Sequence, residues 1–351
     1  MRKESKEFLE ELLLTPSPSG NEVEIQRKWM DYVKGFADKV ETDMVGNVIG
    51  VINPDKPFKV MLAGHCDEIA FMVNYIDDSG YLYLAKSGSI SPKVALGMRV
   101  KIMGKRDVIK GVVGVKAQHH GGAADEVKIE DIYIDCGARD REDMEKHVAV
   151  GDYVIYDTGY EYIHNDKLVG RGLDNRTGAF IVAEVLRRVS EKDVNVAVYG
   201  VSTVNEETNM GGAYFAGANI EPTMAIACDV SFATDYPEID NKKYGRIKLG
   251  KGPILSKGAP INNKINELLE RAAEEKEIPI QYELTPRLTG TDADKIRFSG
   301  RGVPVALVSL PLRYMHSPSE VASLTDIENE IELLVQFILS LKGDESLKPL
   351  E

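Results

Sequence analysis

A change of hydrophobic period part-way along the chain constrains its fold more than any other feature. From about Ala70 to Gly159, Val, Ile and Tyr alternate with polar residues, and turn signals recur at Asp78-Ser-Gly80, Gly104 and Gly151-Asp152. Period-two alternation with closely spaced turns predicts half-buried strands and an all-β unit, a small barrel or sandwich. On both sides the pattern is that of strands alternating with helices, which predicts a doubly wound sheet flanked by helices. The reading is therefore an α/β domain in two parts, 1–69 and 160–351, interrupted by a β domain at 70–159.

Before the interruption, a first helix runs to Leu14 and is stopped by Pro16 and Pro18. Ser19-Gly20-Asn21 opens a second helix through about Ala37. Val40 to Ile52 and Phe58 to Ala63 read as strands, the latter carrying the apolar run Val60-Met-Leu-Ala63 of a strand buried on both faces, with His65 just past its end. After the interruption the predicted order is helix Asn175–Val189, strand Asn195–Val204, a helix starting at Gly211-Gly212 and strand Met224–Asp229. Helix Asn262–Lys276, strand Ile280–Leu284, helix Thr291–Phe298, strand Val303–Leu310 and helix Asp326–Leu341 follow, and the acidic tail after Lys342 reads as frayed.

At 351 residues, with 43% hydrophobic and 28% charged, the chain can bury a large core. Its formal net charge of -13 argues against a nucleic-acid partner, because that binding depends on Lys and Arg neutralising phosphates. No run approaches 18 uncharged apolar residues, and the N-terminal stretch carries acids inside its apolar pattern, so neither a membrane span nor a secretory signal is expected. Three widely spaced cysteines, Cys66, Cys136 and Cys228, fit reduced thiols and a cytoplasmic location.

Five places put a metal-binding or acid–base group at a predicted strand end, helix start or loop: His65-Cys-Asp67, Asp174, Glu206-Glu207, Asp229 and His316. In open α/β sheets the crevice outside the carboxyl ends of the strands gathers residues distant in sequence. Two imidazoles with three carboxylates make a mixed N/O set that suits zinc or cobalt and leaves room for water. If Asp174 bridges two ions, each ion receives an imidazole, a terminal carboxylate and a share of the bridge. An Asp before a helix is equally an ordinary N-cap, but the glycine-dense run Gly170-Arg-Gly-Leu-Asp-Asn-Arg-Thr-Gly178 permits close backbone approach.

Adjacent side chains at a strand end point in different directions, so one of Glu206 and Glu207 can coordinate an ion while the other moves a proton. A Glu-Glu pair is also an ordinary solvated surface feature. Asp67, two residues from His65, could accept the spare imidazole proton and orient the ring. Alternation turns Cys66 and Cys228 to the opposite face, as buried thiols. Gly290-Thr-Asp-Ala293 opens a helix whose N–H groups could bind substrate or simply be capped. For His119 and His120 the sequence offers both a contribution across a subunit interface and a plain surface role.

At these residues the chain resembles the M42 metallo-aminopeptidases, the tetrahedral or deblocking group, some of them labelled glutamyl aminopeptidase or endoglucanase. The carriers are Ala63-Gly-His-Cys-Asp-Glu68, Gly172-Leu-Asp-Asn-Arg176, Asn205-Glu-Glu207 with Gly211-Gly-Ala213, Cys228-Asp-Val230, Gly290-Thr-Asp-Ala293 and Arg313-Tyr-Met-His-Ser317. The resemblance implies removal of N-terminal residues from peptides at a site with two divalent ions, zinc or cobalt. It implies His65, Glu207, Asp229 and His316 as terminal ligands, Asp174 as the bridge, Glu206 as general base and Asp67 as support for His65. It also implies that the insert is a small β-barrel domain mediating dimer contacts, and that dimers build a hollow twelve-subunit particle. Where the family often has Gln-Glu-Glu-Val-Gly this chain has Asn205-Glu-Glu-Thr-Asn209, and Ala117-Gln-His-His120 stands where a Pro-Pro-His element is common.

Two other readings use the same residues. A two-metal deacylase of N-acyl amino acids needs the same ligands and base with a pocket for a blocked amine. A metal-storing or scaffolding shell needs the ligands but has no use for a second, base-positioned glutamate.

Overall fold

The computed structural model describes residues 1–124 and 126–351. An eight-stranded mixed sheet forms its centre. The strands leading into the insert are β1 (Lys39–Thr42), β2 (Val48–Ile52) and β3 (Lys59–His65). The insert supplies β4 (Ala70–Ile76), β5 (Leu82–Ser87), β6 (Arg99–Met103), β7 (Val108–Val113), β8 (Tyr133–Asp135) and β9 (Tyr153–Tyr156). Then come β10 (Tyr160–Ile163), β11 (Lys167–Gly170), β12 (Ala197–Thr203), β13 (Met224–Phe232), β14 (Ile254–Lys257), β15 (Gln281–Leu284), β16 (Val305–Leu312) and β17 (Glu320–Ser323).

The central sheet runs β1-β2-β12-β3-β13-β16-β14-β15. Its middle four strands, β12, β3, β13 and β16, are parallel. β12 and β13 are fully buried at almost every position and β16 at all of them, as continuous apolar runs covered by helices on both faces must be. One face packs the helices Lys3–Leu14, Val23–Val33, Leu173–Ser190, Asn263–Glu275 and Leu324–Ser340 around Trp29, Phe180 and Phe337. The other is covered by Gly211–Ile220 and Ala293–Ile296 through Ala213, Ala216, Ala293 and Ile296.

The insert closes into a barrel, β4-β5-β8-β7-β6-β9, with its own core of Phe71, Val73, Leu82, Val100, Ile102 and Ile134. Buried and exposed positions alternate along β6 and part of β7, as a barrel wall with one face inward requires.

Several elements differ from the sequence reading. The single strand expected over Val40–Ile52 is a hairpin, because the Asp43 carboxylate accepts the backbone N–H groups of Val45, Gly46 and Asn47, and Gly46 turns with φ +105°. The second helix starts later than expected, at Val23, since the Ser19 hydroxyl is engaged by Asp67 instead of capping. The helix expected over Thr291–Phe298 is the single turn Ala293–Ile296. A three-stranded sheet, β10-β11-β17, was not anticipated. The acidic tail is docked: Leu347 is buried and its carbonyl accepts Asn262 Nδ2 at 2.9 Å. Among the described residues no helix is long and apolar enough to cross a membrane.

Candidate metal centre

The carboxyl ends of the four parallel strands deliver the candidate groups to one place. His65 ends β3 and pairs in register with Thr203, after which the chain turns through Asn205 to Glu206 and Glu207. Asp229 lies on β13, and His316 follows β16 in a loop where it takes a left-handed φ of +62°. Asp174 comes from the opening turn of the helix Leu173–Ser190, which presses closely on the sheet. A Cβ at Gly64 would stand 2.6 Å from the Gly178 carbonyl carbon, and one at Gly178 would stand 2.3 Å from the Cys228 carbonyl oxygen. Glycine at both positions is what lets this helix bring Asp174 to the strand ends.

The two oxygens of Asp174 face different histidines: Oδ1 is 3.3 Å from His65 Nε2 and Oδ2 is 3.2 Å from His316 Nε2. His65 Nε2 also lies 3.6 Å from Glu206 Oε2 and 3.8 Å from Asp229 Oδ1, and His316 Nε2 lies 3.4 Å from Glu207 Oε2. Two groups offer ligand atoms within 4.8 Å of one another: His65 with Glu206 and Asp229, and His65 with Asp174 and Glu207. All six candidate residues therefore meet. Glu206 stands as close to His65 as the acids expected to be ligands, so proximity alone does not separate base from ligand.

The residues fit divalent cations on two grounds. Donors bound tetrahedrally at roughly 2.0–2.2 Å from a zinc lie roughly 3.3–3.6 Å apart, close to the 3.2 to 3.8 Å separations here. The charge balance also favours a cation. Burial pushes the Glu206 carboxyl up to about 10, with Asp229 and Asp292 adding repulsion against the pull of His65, and burial beside Asp174 pushes Glu207 up to about 7. Oε1 of each is buried and lacks a hydrogen-bond partner. Burial opposes protonation of both imidazoles, yet the surrounding carboxylates outweigh it, raising His65 well above its usual range and His316 to about 11. Such a concentration of buried acid calls for a compensating positive charge.

Asp67 does more than was expected of it. His65 Nδ1 meets the backbone carbonyl of Asp67 at 3.1 Å, with the carboxylate at 3.4 Å. The Asp67 carboxylate accepts the backbone N–H of Glu206 at 3.0 Å and of Glu207 at 3.2 Å, and the Ser19 hydroxyl at 2.6 Å. The reason is that the chain leaves the strand after His65, so the two-residue alternation no longer sets the side-chain direction. Glu22 Oε1 holds the neighbouring Asn205 N–H at 3.2 Å, where Asn205 has φ +58°.

Three further features were assigned no role from the sequence, although Glu68, Arg176 and Asp292 lie inside motifs named above. Glu320 accepts the backbone N–H groups of Asp174 and His316. Glu68 is fully buried between Arg171 and Arg176, which also donates to the Thr15 carbonyl and the Ser17 hydroxyl. Asp292 accepts the Thr203 hydroxyl at 2.5 Å and does not cap the turn it precedes; Asp294 instead takes the N–H groups of Thr289 and Gly290. Cys66 and Cys228 are buried in the core, where burial pushes both thiols well up. His119 and His120 are exposed in a short 3-10 turn and belong to neither candidate ligand group.

A cavity of about 850 Å³ opens over the cluster, reaching from His65, Asp229 and His316 to Glu283, Leu288 and Phe298. A doubly wound sheet that sends imidazoles and carboxylates into one buried cluster beneath such a cavity offers a candidate metal centre. The chain belongs to the M42 peptidase family: the M42 glutamyl aminopeptidase model matches residues 46–333. It is 34% identical to the lysyl aminopeptidase of Pyrococcus furiosus over 347 residues, covering 96% of this chain and 97% of that one. Among solved structures it is similar to the TET aminopeptidase of Thaumarchaeota archaeon SCGC AB-539-E09, with a TM-score of 0.91 and 30% identity over 96% of both chains. It is also similar to the TET1 peptidase of Pyrococcus horikoshii, with a TM-score of 0.85 and 26% identity over 96% of this chain and 100% of that one. The protein is an aminopeptidase of this family.

Proposed function

We propose that the enzyme removes N-terminal residues from peptides with two divalent ions, zinc or cobalt, and Glu206 as general base. His65 and Asp229 would hold one ion, His316 and Glu207 the other, and Asp174 would bridge them. The observation that carries this reading is the placement of the two Asp174 oxygens against two different imidazoles. Bound ions would polarise the scissile carbonyl and make a water molecule more acidic. Glu206 Oε1, buried and without a hydrogen-bond partner among the described residues, takes the proton of the attacking water and passes it to the departing amine. Asp67 fixes the backbone of both glutamates, which keeps the base and its ligand neighbour in different orientations.

The Glu206→Gln variant tests the assignment. It should retain the cation content of the wild type and lose nearly all cleavage of an aminoacyl anilide. Unchanged cleavage would remove Glu206 from the mechanism. Running the N-acetylated anilide alongside separates a peptidase from a deacylase, since only the latter accepts the blocked amine.

We further propose that residues 70–159 form the domain that makes subunit contacts and that the chain assembles into a closed, twelve-subunit particle. Support comes from the relative of Pyrococcus horikoshii, described as able to form a tetrahedron or a large octahedral shell. Three free cysteines support a cytoplasmic working place.

A further inference from the structure

The cavity has a second end that the proposed chemistry leaves unused. Besides the ligand cluster its lining includes Ser231, Phe232, Glu283, Leu284, Leu288 and Phe298. Glu283 is the acid of this end. Its Oε1 accepts the Ser256 hydroxyl at 2.5 Å and its Oε2 accepts the Ser231 hydroxyl. The two serines come from β14 and β13, so the carboxylate is tied to the sheet that carries the candidate ligand Asp229. No Lys, Arg or His nitrogen lies within 4.0 Å of it among the described residues. A carboxylate has about four lone-pair sites, and two hydroxyl donors leave the others open to a ligand.

We propose that Glu283 reads the side chain of the N-terminal residue and selects a basic one, lysine or arginine; this rests on the aminopeptidase reading above. A substrate whose amine and scissile carbonyl sit at the ligand cluster must place its first side chain in the remaining space. Leu284, Leu288 and Phe298 offer apolar surface to an aliphatic stem, and Glu283 offers a fixed acceptor to a charged tip. An acidic side chain would meet Glu283 with like charge. Asp294 also lines the cavity, its oxygens accepting the N–H groups of Thr289 and Gly290, and the Glu283 variants below separate the two acids. Lys295, on the same wall, is exposed and marks the alternative, an acidic preference.

The test is a comparison of kcat/KM for lysyl, arginyl, leucyl and glutamyl anilides on the cation-loaded wild type, Glu283→Gln and Glu283→Leu. The wild type should favour lysyl and arginyl substrates. The lysyl-to-leucyl ratio should fall by about 10- to 100-fold in Glu283→Gln, the range expected for losing a charge-assisted contact. It should fall further in Glu283→Leu. A ratio taken within one preparation is independent of how much of a variant folds. A wild-type preference for glutamyl or leucyl substrates, or a ratio unchanged in both variants, overturns the proposal while leaving the peptidase reading intact. Cleavage of none of the four by the wild type overturns both.

Discussion

Glu320 accepts the backbone N–H of Asp174 at 3.2 Å through one carboxylate oxygen. The other oxygen accepts the N–H of His316 at 2.8 Å, so one buried side chain fixes two candidate ligands that lie far apart in sequence. Glutamine can accept through only one of its two terminal atoms. Glu320→Gln should therefore weaken cation binding by about 10- to 100-fold, the usual effect of losing a group that orients a ligand. Titration calorimetry of the metal-stripped protein with zinc reads this directly. Wild-type affinity in the variant would show that Glu320 is only filling space.

Asp67 links Glu206 and Glu207 in the same manner. Replacing it with alanine frees both backbone N–H groups and the Ser19 hydroxyl, and lets the two glutamates drift. A misplacement of about 1 Å can cost about 100-fold in turnover. Asp67→Ala should lose that much in kcat, with Asp67→Asn falling between it and the wild type. Equal kcat in all three proteins would remove Asp67 from the site.

Cation binding should release protons. Glu207 is raised to about 7 and Glu206 to about 10, so both carry protons to a large extent in the metal-stripped protein near neutrality. A cation favours the charged carboxylates and needs neutral imidazoles at His65 and His316, which are raised as well, so binding expels more than one proton per subunit. Zinc affinity should consequently rise with pH across the neutral range. Calorimetry in buffers of different ionisation enthalpy counts the protons, and an affinity that is flat with pH contradicts this account.

The buried Glu68 sets an acid limit on stability. Burial opposes its charge, but Arg171 and Arg176 overcome this and hold it down to about 2, from an ordinary 4.5. A lowered carboxylate stabilises the fold fully above its unfolded value and loses that contribution as the pH falls from about 4.5 to about 2. Glu68→Gln leaves two buried guanidinium groups without their counter-charge, a loss of about 3 kcal/mol or more at pH 7. Urea midpoints at pH 7 and pH 3 should show a large gap between variant and wild type at the higher pH and a smaller gap at the lower. An equal gap at both would mean that the charge is not what matters.

Much of this architecture was legible because periodicity survives in long elements. The apolar runs of β3, β12, β13 and β16 announced a doubly wound sheet, and the alternation after Ala70 announced the β insert. His65, Asp174, Glu206, Glu207, Asp229 and His316 could be selected because strand ends and helix starts are where such sheets collect reactive groups, and the structure brings all six together. Glu320 and Glu283 escaped notice, and Glu68 was quoted in a motif without a role, because nothing local distinguishes a buried, partnered glutamate from a solvated one. Their partners lie far away in sequence: Glu68 is more than 100 residues from Arg171. The sheet joining β11 to β17 escaped for the same reason, two four-residue strands being too short to show a period. Asp67 was selected for its neighbour His65, whereas its main partners are 139 and 140 residues away.

The inserted barrel closes on itself, β9 pairing with both β4 and β6. A closed ring of strands leaves few free backbone donors and acceptors along an edge, which works against extension by an added strand from a neighbouring chain. The subunit contacts proposed for this unit would then fall to its loops and outward side chains. Such a surface can change residue by residue without disturbing the backbone pairing that holds the unit together.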